Sequence, residues 1–136
     1  MLKACGLNIF LCMNSADLGR MGEEHAARYF SDNGFRILHR NHRIGRSEVD
    51  LIIQDAHKVV FVEIKTRSGI QPLREDEMIT STKRRALLRA ADFFLNSMPE
   101  ETEIRFDLVL INYHQNRVIM KHIEDAFRDA GDFYDL

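Results

Sequence analysis

The sequence predicts an α/β protein, a mixed central sheet flanked by helices in the order α-β-β-β-α-β-β-α. Three observations carry that prediction. Two strand-length runs, residues 49–53 and 59–64, are rich in Val, Ile and Phe. Only the short polar break Gln54-Asp55-Ala56-His57-Lys58 separates them, which is the pattern of a buried hairpin. Apolar stripes at helical spacing lie on either side of that hairpin, and a second pair of apolar runs follows the later stripe. Helices and strands alternating in this way pack as layers on one sheet. At 136 residues, 45% apolar and 29% charged, the chain has the size and composition of one globular domain.

Residues 1–14 hold one Lys and an apolar stretch broken by Asn8, with no small-residue cleavage site after it. A disordered extension is expected there rather than a signal peptide, with Met13 as an alternative start. The main domain is expected over residues 15–128. Its first helix runs from Ser15 or Asp17, either of which can cap it, to Asp32, and Asn33-Gly34 supplies the left-handed stop. Gly22, Ala26, Ala27 and Phe30 form its apolar stripe, and Glu23 points with that buried face. Glu24 is expected on the outer face, paired at i+4 with Arg28. A carboxylate on the core side needs a partner.

Residues 35–42 read as an edge strand of poor alternation, and residues 43–46 turn the chain at Gly45. The hairpin comes next. Residues 67–80 are polar, contain Pro72 and Glu75-Asp76-Glu77, and read as a loop. A second helix follows from Ser81 or Thr82 to Ser97, with Leu87, Leu88, Ala91, Phe94 and Leu95 as its stripe. Residues 104–112 are an apolar strand, residues 112–116 a turn, and residues 117–123 the strand pairing back. Arg105 and Asp107 are expected to pair structurally. Residues 124–128 read as a short terminal helix and residues 129–136 as a frayed acidic tail.

The formal net charge of −2 excludes a protein that binds nucleic acid through bulk charge alone. Distribution is more informative. The segment from residue 124 onward holds five acids and one arginine, so totals of 19 basic and 21 acidic groups leave 18 and 16 in residues 1–123. Cations cluster at Arg36, Arg40, Arg43 and Arg46, and again at Lys83, Arg84, Arg85 and Arg89. Either run alone is a solvated face; two runs framing an acidic site suit a phosphate-backbone partner. Cys5, Cys12 and the six histidines show no zinc-ligand spacing, so free thiols in a reducing cytoplasm are expected. No apolar run approaches the length of a membrane span.

The hairpin also holds the charges that matter most. A turn centred between Ala56 and His57 sets Asp50 opposite Glu63 and Glu48 opposite Lys65, with Cβ atoms roughly 4.5–5.5 Å apart. Two carboxylates so close repel unless a proton or cation lies between them. A slip by one residue would put them on opposite faces. An ion-pair network is the other reading, joining Lys65 to Glu48 and Glu63 and joining Asp50 to Arg43 or Arg67.

An Asp on one strand followed by Glu-x-Lys on the next resembles the signature of the restriction-endonuclease-like nucleases, written PD-(D/E)xK. More narrowly, GRMGEEHA at 19–26, RNHR at 40–43, SEVDLI at 47–52, FVEIKTR at 61–67, Lys83 and RFD at 105–107 resemble the YraN family. Those small bacterial proteins are similar to archaeal Holliday-junction resolvases. The likeness covers about residue 17 to residue 128, and the family usually has Gly where this chain has Ser47.

The resemblance implies a restriction-endonuclease-like core that hydrolyses phosphodiesters in nucleic acid, DNA being the expected class, with selectivity for structure. It implies catalytic roles for Glu23, Asp50, Glu63 and Lys65, with Glu48 as a secondary candidate. Asp50, Glu63 and the backbone carbonyl of Ile64 would hold Mg²⁺ or Mn²⁺. Arg40, Arg43, Arg67, Lys83 and Arg85 would contact the nucleic acid. A homodimer is admitted, since resolvase-like proteins need two sites for two strands. The alternative is a nucleic-acid-binding protein that keeps this fold without turnover.

Overall fold

A computed structural model of the chain describes residues 13–69 and 79–128. Expectations for residues 1–12, for residues 70–78 of the polar loop and for the acidic tail fall outside them. The first helix, α1, spans Ser15–Asp32. Its cap is Asn14, one residue before the expected pair, because the Asn14 side chain accepts the Asp17 N–H at 2.8 Å. Asp17 sits instead in the first turn, where its charge suits the positive end of the helix. Asn33 closes the helix and Gly34, at φ +85°, turns the chain away.

Three strands follow: β1 (Arg36–Ile44), β2 (Ser47–Asp55) and β3 (Lys58–Ser68). Helix α2 (Ser81–Leu95) starts where the Thr80 side chain accepts the Lys83 N–H, and β4 (Glu103–His114) and β5 (Arg117–Ile123) complete the described elements. The five strands form one sheet in sequence order, antiparallel except for β3 beside β4, which run parallel. A parallel neighbour demands a long crossover, and α2 lies within it. The β2–β3 register is the expected one, from Asp55–Lys58 to Leu51–Val62.

The sheet is buried on both faces, which explains why β3 reads as a continuous apolar run. On one face Leu18, Ala26, Ala27 and Phe30 of α1 meet Leu51, Ile53, Val60, Val62 and Ile64. On the other, Leu87, Ala90 and Ala91 of α2 meet Val49, Ile52, Val59 and Phe61. No helix among the described residues is long and apolar enough to cross a membrane.

One expected element does not form. Residues 124–125 make a turn in place of the terminal helix over residues 124–128. Asp125 lies at φ +53° and its N–H goes to Oδ1 of Asp107 at 3.0 Å, so a side chain of β4 holds the backbone that a helix would have used. Asp107 is fully buried; besides that N–H it accepts two bonds from Arg105, at 2.8 and 2.9 Å, and has Nε2 of His122 at 2.7 Å. The expected Arg105–Asp107 pair is thus part of a larger structural network.

Candidate active site

The site begins with a break in strand alternation. Leu51 and Ile53 face α1, whereas Val49 and Ile52, three residues apart, both face α2. The switch falls at Asp50. Across the ladder the pairs Arg40–Leu51 and His42–Val49 set Asn41 opposite Asp50, and Asn41 lies at φ +47°. Asparagine tolerates that left-handed region better than most residues. Distortions of this kind re-aim a side chain.

Asp50 therefore turns into the gap between β2 and β3. Its Oδ2 accepts the Ile64 N–H at 2.8 Å, just beyond Leu51–Val62, the last backbone pair of that ladder. The N–H and C=O of a strand residue project from the same edge, so the Ile64 carbonyl faces this gap too.

Glu63 reaches the same place from the α2 face and is only 4% exposed. Its Oε1 lies 3.2 Å from Nζ of Lys65. Its Oε2 lies 3.6 Å from Nζ of Lys83, on the first turn of α2, and accepts no hydrogen bond. Lys83 also donates to the Glu48 carbonyl at 3.1 Å, and the Ser47 hydroxyl donates to the Ala86 carbonyl at 3.3 Å. These two bonds tie the start of β2 to α2. Left-handed backbone in this turn belongs to Gly45, at φ +60°, so Ser47 is accommodated where the family usually has Gly.

Glu23 approaches from the α1 face. Gly22 makes this possible, since a Cβ there would lie 1.9 Å from Oγ1 of Thr66 on β3. That close approach carries the next residue towards Asp50. Burial, then the Asp50 charge, hold the Glu23 carboxyl above its ordinary range, while a hydrogen bond from Asn41 opposes the shift.

Burial raises Asp50 as well, outweighing the Ile64 N–H and the charges of Lys83 and Lys65. Burial and the Asp50 charge push Glu63 up to about 7 despite the same two lysines. The two ammonium groups do not offset the three carboxylates fully, so a proton or a cation is accommodated readily.

Glu48 is exposed, and its charge raises both Glu23 and Asp50. The ion-pair reading is met in the Lys65–Glu63 pair, but Asp50 takes the Ile64 N–H, and Lys83 binds the Glu48 backbone. The remaining expected cations lie apart. Arg40 is bound to Glu24 at 2.6 Å, with Arg28 a weaker influence on that acid than sequence spacing suggested. Arg43 is exposed opposite Glu48, Arg67 is exposed near the end of β3, and Arg85 is exposed on α2. Sequence reasoning missed Asn41 as a determinant and set Lys83 outside the site. An Asn within a strand of poor alternation was the available signal for the first.

A donor set of two carboxylates and a backbone carbonyl suits a hard divalent cation that keeps several waters. The unsatisfied Oε2 of buried Glu63 is a vacant acceptor for such an ion. Among the described residues no three His, Cys, Asp or Glu side chains form a complete ligand cluster, so carbonyl and water oxygens would have to supply the rest.

Comparison with known proteins agrees with the resemblance in the motifs. The model of "Uncharacterised protein family UPF0102" matches residues 22–111. A UPF0102 protein of Prosthecochloris aestuarii is 40% identical over 118 residues, covering 82% of this chain and 93% of its own. One of Chlorobium chlorochromatii is 35% identical over 120 residues, covering 84% and 93%. Among solved structures, Pyrococcus furiosus SfsA in complex with Ca²⁺ is similar at 16% identity and a TM-score of 0.35, over 82% of this chain and 64% of that one, too remote to bear on fold or function. On the family model and these relatives, the chain belongs to the UPF0102 (YraN) family.

Proposed function

We propose that the protein is a metal-dependent nuclease that hydrolyses phosphodiester bonds in nucleic acid, with DNA as the expected substrate. The observation that carries this reading is half-buried Asp50 beside buried Glu63, whose Oε2 accepts no hydrogen bond although the Lys83 ammonium lies 3.6 Å away and Lys65 holds Oε1. Structural ion pairs need no vacant acceptor; a cation site does.

Asp50, Glu63 and the Ile64 carbonyl would hold Mg²⁺ or Mn²⁺. When bound, such a cation supplies charge neutralisation at the phosphate and a lowered pKa for water. Lys65, held by Glu63, presents an ammonium to the charge that builds on the phosphoryl oxygens, or orients the attacking water. Glu23, with its carboxyl raised by burial and Asp50, is the group to take up or return a proton. Lys83 holds Glu63 from the other side and fixes the opening of β2 through the Glu48 carbonyl. Arg43, Arg67 and Arg85 are the exposed cations for the phosphate backbone.

The test is a panel of branched, flapped, single-stranded and duplex DNA and RNA with Mg²⁺ or Mn²⁺. Wild type should cut a preferred member; Glu63→Gln and Lys65→Ala should abolish cutting while affinity in calcium changes little. In parallel, millimolar Mg²⁺ or Mn²⁺ should raise the wild-type melting temperature, by about 2.7 kcal/mol of stability at a hundredfold excess over Kd. Asp50→Asn should remove that response. Salt-dependent binding by a pure protein that cuts nothing with either metal would assign it to the binding class instead.

A further inference from the structure

A groove of about 470 Å³ opens between the C-terminal end of α2 and β1, lined by His39, His42, Arg43, Phe93, Asn96 and Ser97 among others. Its floor is aromatic. The His39 and His42 rings stack at 4.0 Å and 22°, and His39 meets Phe94 edge-on at 6.0 Å. The distortion at Asn41 makes this possible, since residues three apart on a regular strand face opposite ways. Burial and then His42 push the His39 pKa down, which favours the uncharged form of that ring.

Phe93 stands on the rim with 70% of its surface exposed. Alone it would be an ordinary surface residue. Here it adds a phenyl ring beside the stacked imidazoles, while Asn96 and Ser97 offer amide and hydroxyl groups. Among the described residues no acid lines the groove and Arg43 is its one fixed charge, so the lining complements an anion-bearing aromatic ligand.

Position links the groove to the carboxylates. Arg43 is the ladder partner of Glu48, two residues before Asp50. One strand spacing plus two residues of rise is on the order of 10 Å, a distance that a nucleic-acid strand bridges within a few nucleotides.

We propose that this groove is a base-binding subsite that takes an unpaired nucleobase a few nucleotides from the phosphate held at Asp50 and Glu63. The inference rests on the nuclease reading above and narrows its substrate class to nucleic acid with single-stranded or unpaired positions. A base in duplex is stacked on its neighbours and shows only its edges. A ring-lined groove reads the face, which an unpaired base offers whatever its identity. Arg43 at the rim then meets the phosphate of the same nucleotide.

The chain has no tryptophan, so Phe93→Trp installs a sole indole reporter. In calcium buffer, titration with an oligothymidylate should quench its emission at the concentrations where anisotropy reports binding. A blunt duplex of equal length should quench it less. Phe93→Ala should weaken single-strand binding relative to duplex by roughly 5- to 150-fold, the usual range for one base–aromatic stack. An unchanged single-strand to duplex ratio in Phe93→Ala, or an indole indifferent to single strands that anisotropy shows bound, overturns the subsite and leaves the nuclease reading standing. Emission that changes with protein concentration alone marks a contact between copies and overturns it too. Failure of wild type to bind any nucleic acid removes both.

Discussion

Replacing Glu63 with glutamine should stabilise the metal-free protein, and only above a defined pH. The folded state holds the Glu63 proton up to about 7, against an ordinary value of 4.5, because burial and the Asp50 charge oppose ionisation. A carboxyl whose pKa is higher in the fold favours the fold when protonated. Stability from this group is therefore full below 4.5 and is lost as pH rises from 4.5 to about 7. At 1.36 kcal/mol per unit, the loss is about 3 kcal/mol. The attraction of Lys65 and Lys83 is already contained in that net shift. Both ammonium groups are about a third exposed, at 33% and 32%, so water can solvate them once the carboxylate is gone.

A glutamine at this position would keep the neutral shape at every pH, so Glu63→Gln should match wild type at about pH 4 and exceed it by up to about 3 kcal/mol at about pH 8. For a chain of this length that is about 10 °C in melting temperature. Thermal melts in EDTA across that pH range measure the difference directly, and groups elsewhere cancel between the two proteins. Parallel curves, or a variant equally destabilised at both ends, would refute the picture of a strained acid pair.

Two further substitutions test the frame that holds the site. Gly22→Ala would drive a Cβ into Thr66, 1.9 Å from Oγ1 and 2.9 Å from Cβ, so it should cost about 1–3 kcal/mol in urea denaturation. Thr66→Ala in the same chain should recover only part of that loss, because its Cβ remains. Asp107→Ala would leave half-buried Arg105 without its carboxylate and free the N–H of Asp125, so a loss of about 3 kcal/mol is expected by the same measurement. Burial opposes ionisation of Asp107, but bonds from His122, Arg105 and Asp125 overcome it and hold the pKa below 3.8. Its contribution is present above 3.8 and fades as pH falls through the lowered value, opposite in sense to Glu63.

The parts of the fold written in local patterns were legible. The hairpin register followed from two apolar runs and a short polar break, and β5 occupies the expected residues because Gln115 and Asn116 make a tight turn at positive φ. Glu63 and Lys65 share a face by strand alternation alone. Contacts between distant segments were harder. Lys83 reaches the Glu48 carbonyl across 35 residues of sequence, and nothing local to the helix start distinguishes it from a solvated lysine. Arg40 is captured by Glu24 for the same reason, since helix spacing offers Arg28 and only the packing of α1 on β1 offers Arg40. The terminal turn was hidden because its N–H belongs to an acid on another strand.

Asp50 shows why local pattern could not deliver the whole site. Alternation counted from Ile52 sends Asp50 towards α2, and alternation counted from Val49 sends it towards α1. A regular strand would have to choose one face. On the α2 face it could join Glu63 and Lys83 but would turn its back on Glu23; on the α1 face the reverse holds. The break at Asn41 and Asp50 removes the choice by turning the carboxylate into the sheet plane, where Glu23 acts on it from one side and Glu63 and the lysines from the other. That geometry costs a left-handed Asn41 and the end of a backbone ladder, together of order 1–3 kcal/mol. The Ile64–Asp50 bond offsets the cost with groups that belong to the site itself. The same break brings His39 and His42 onto one face. One irregularity therefore builds both the carboxylate centre and the stacked floor beside it, and selection on either would preserve the other.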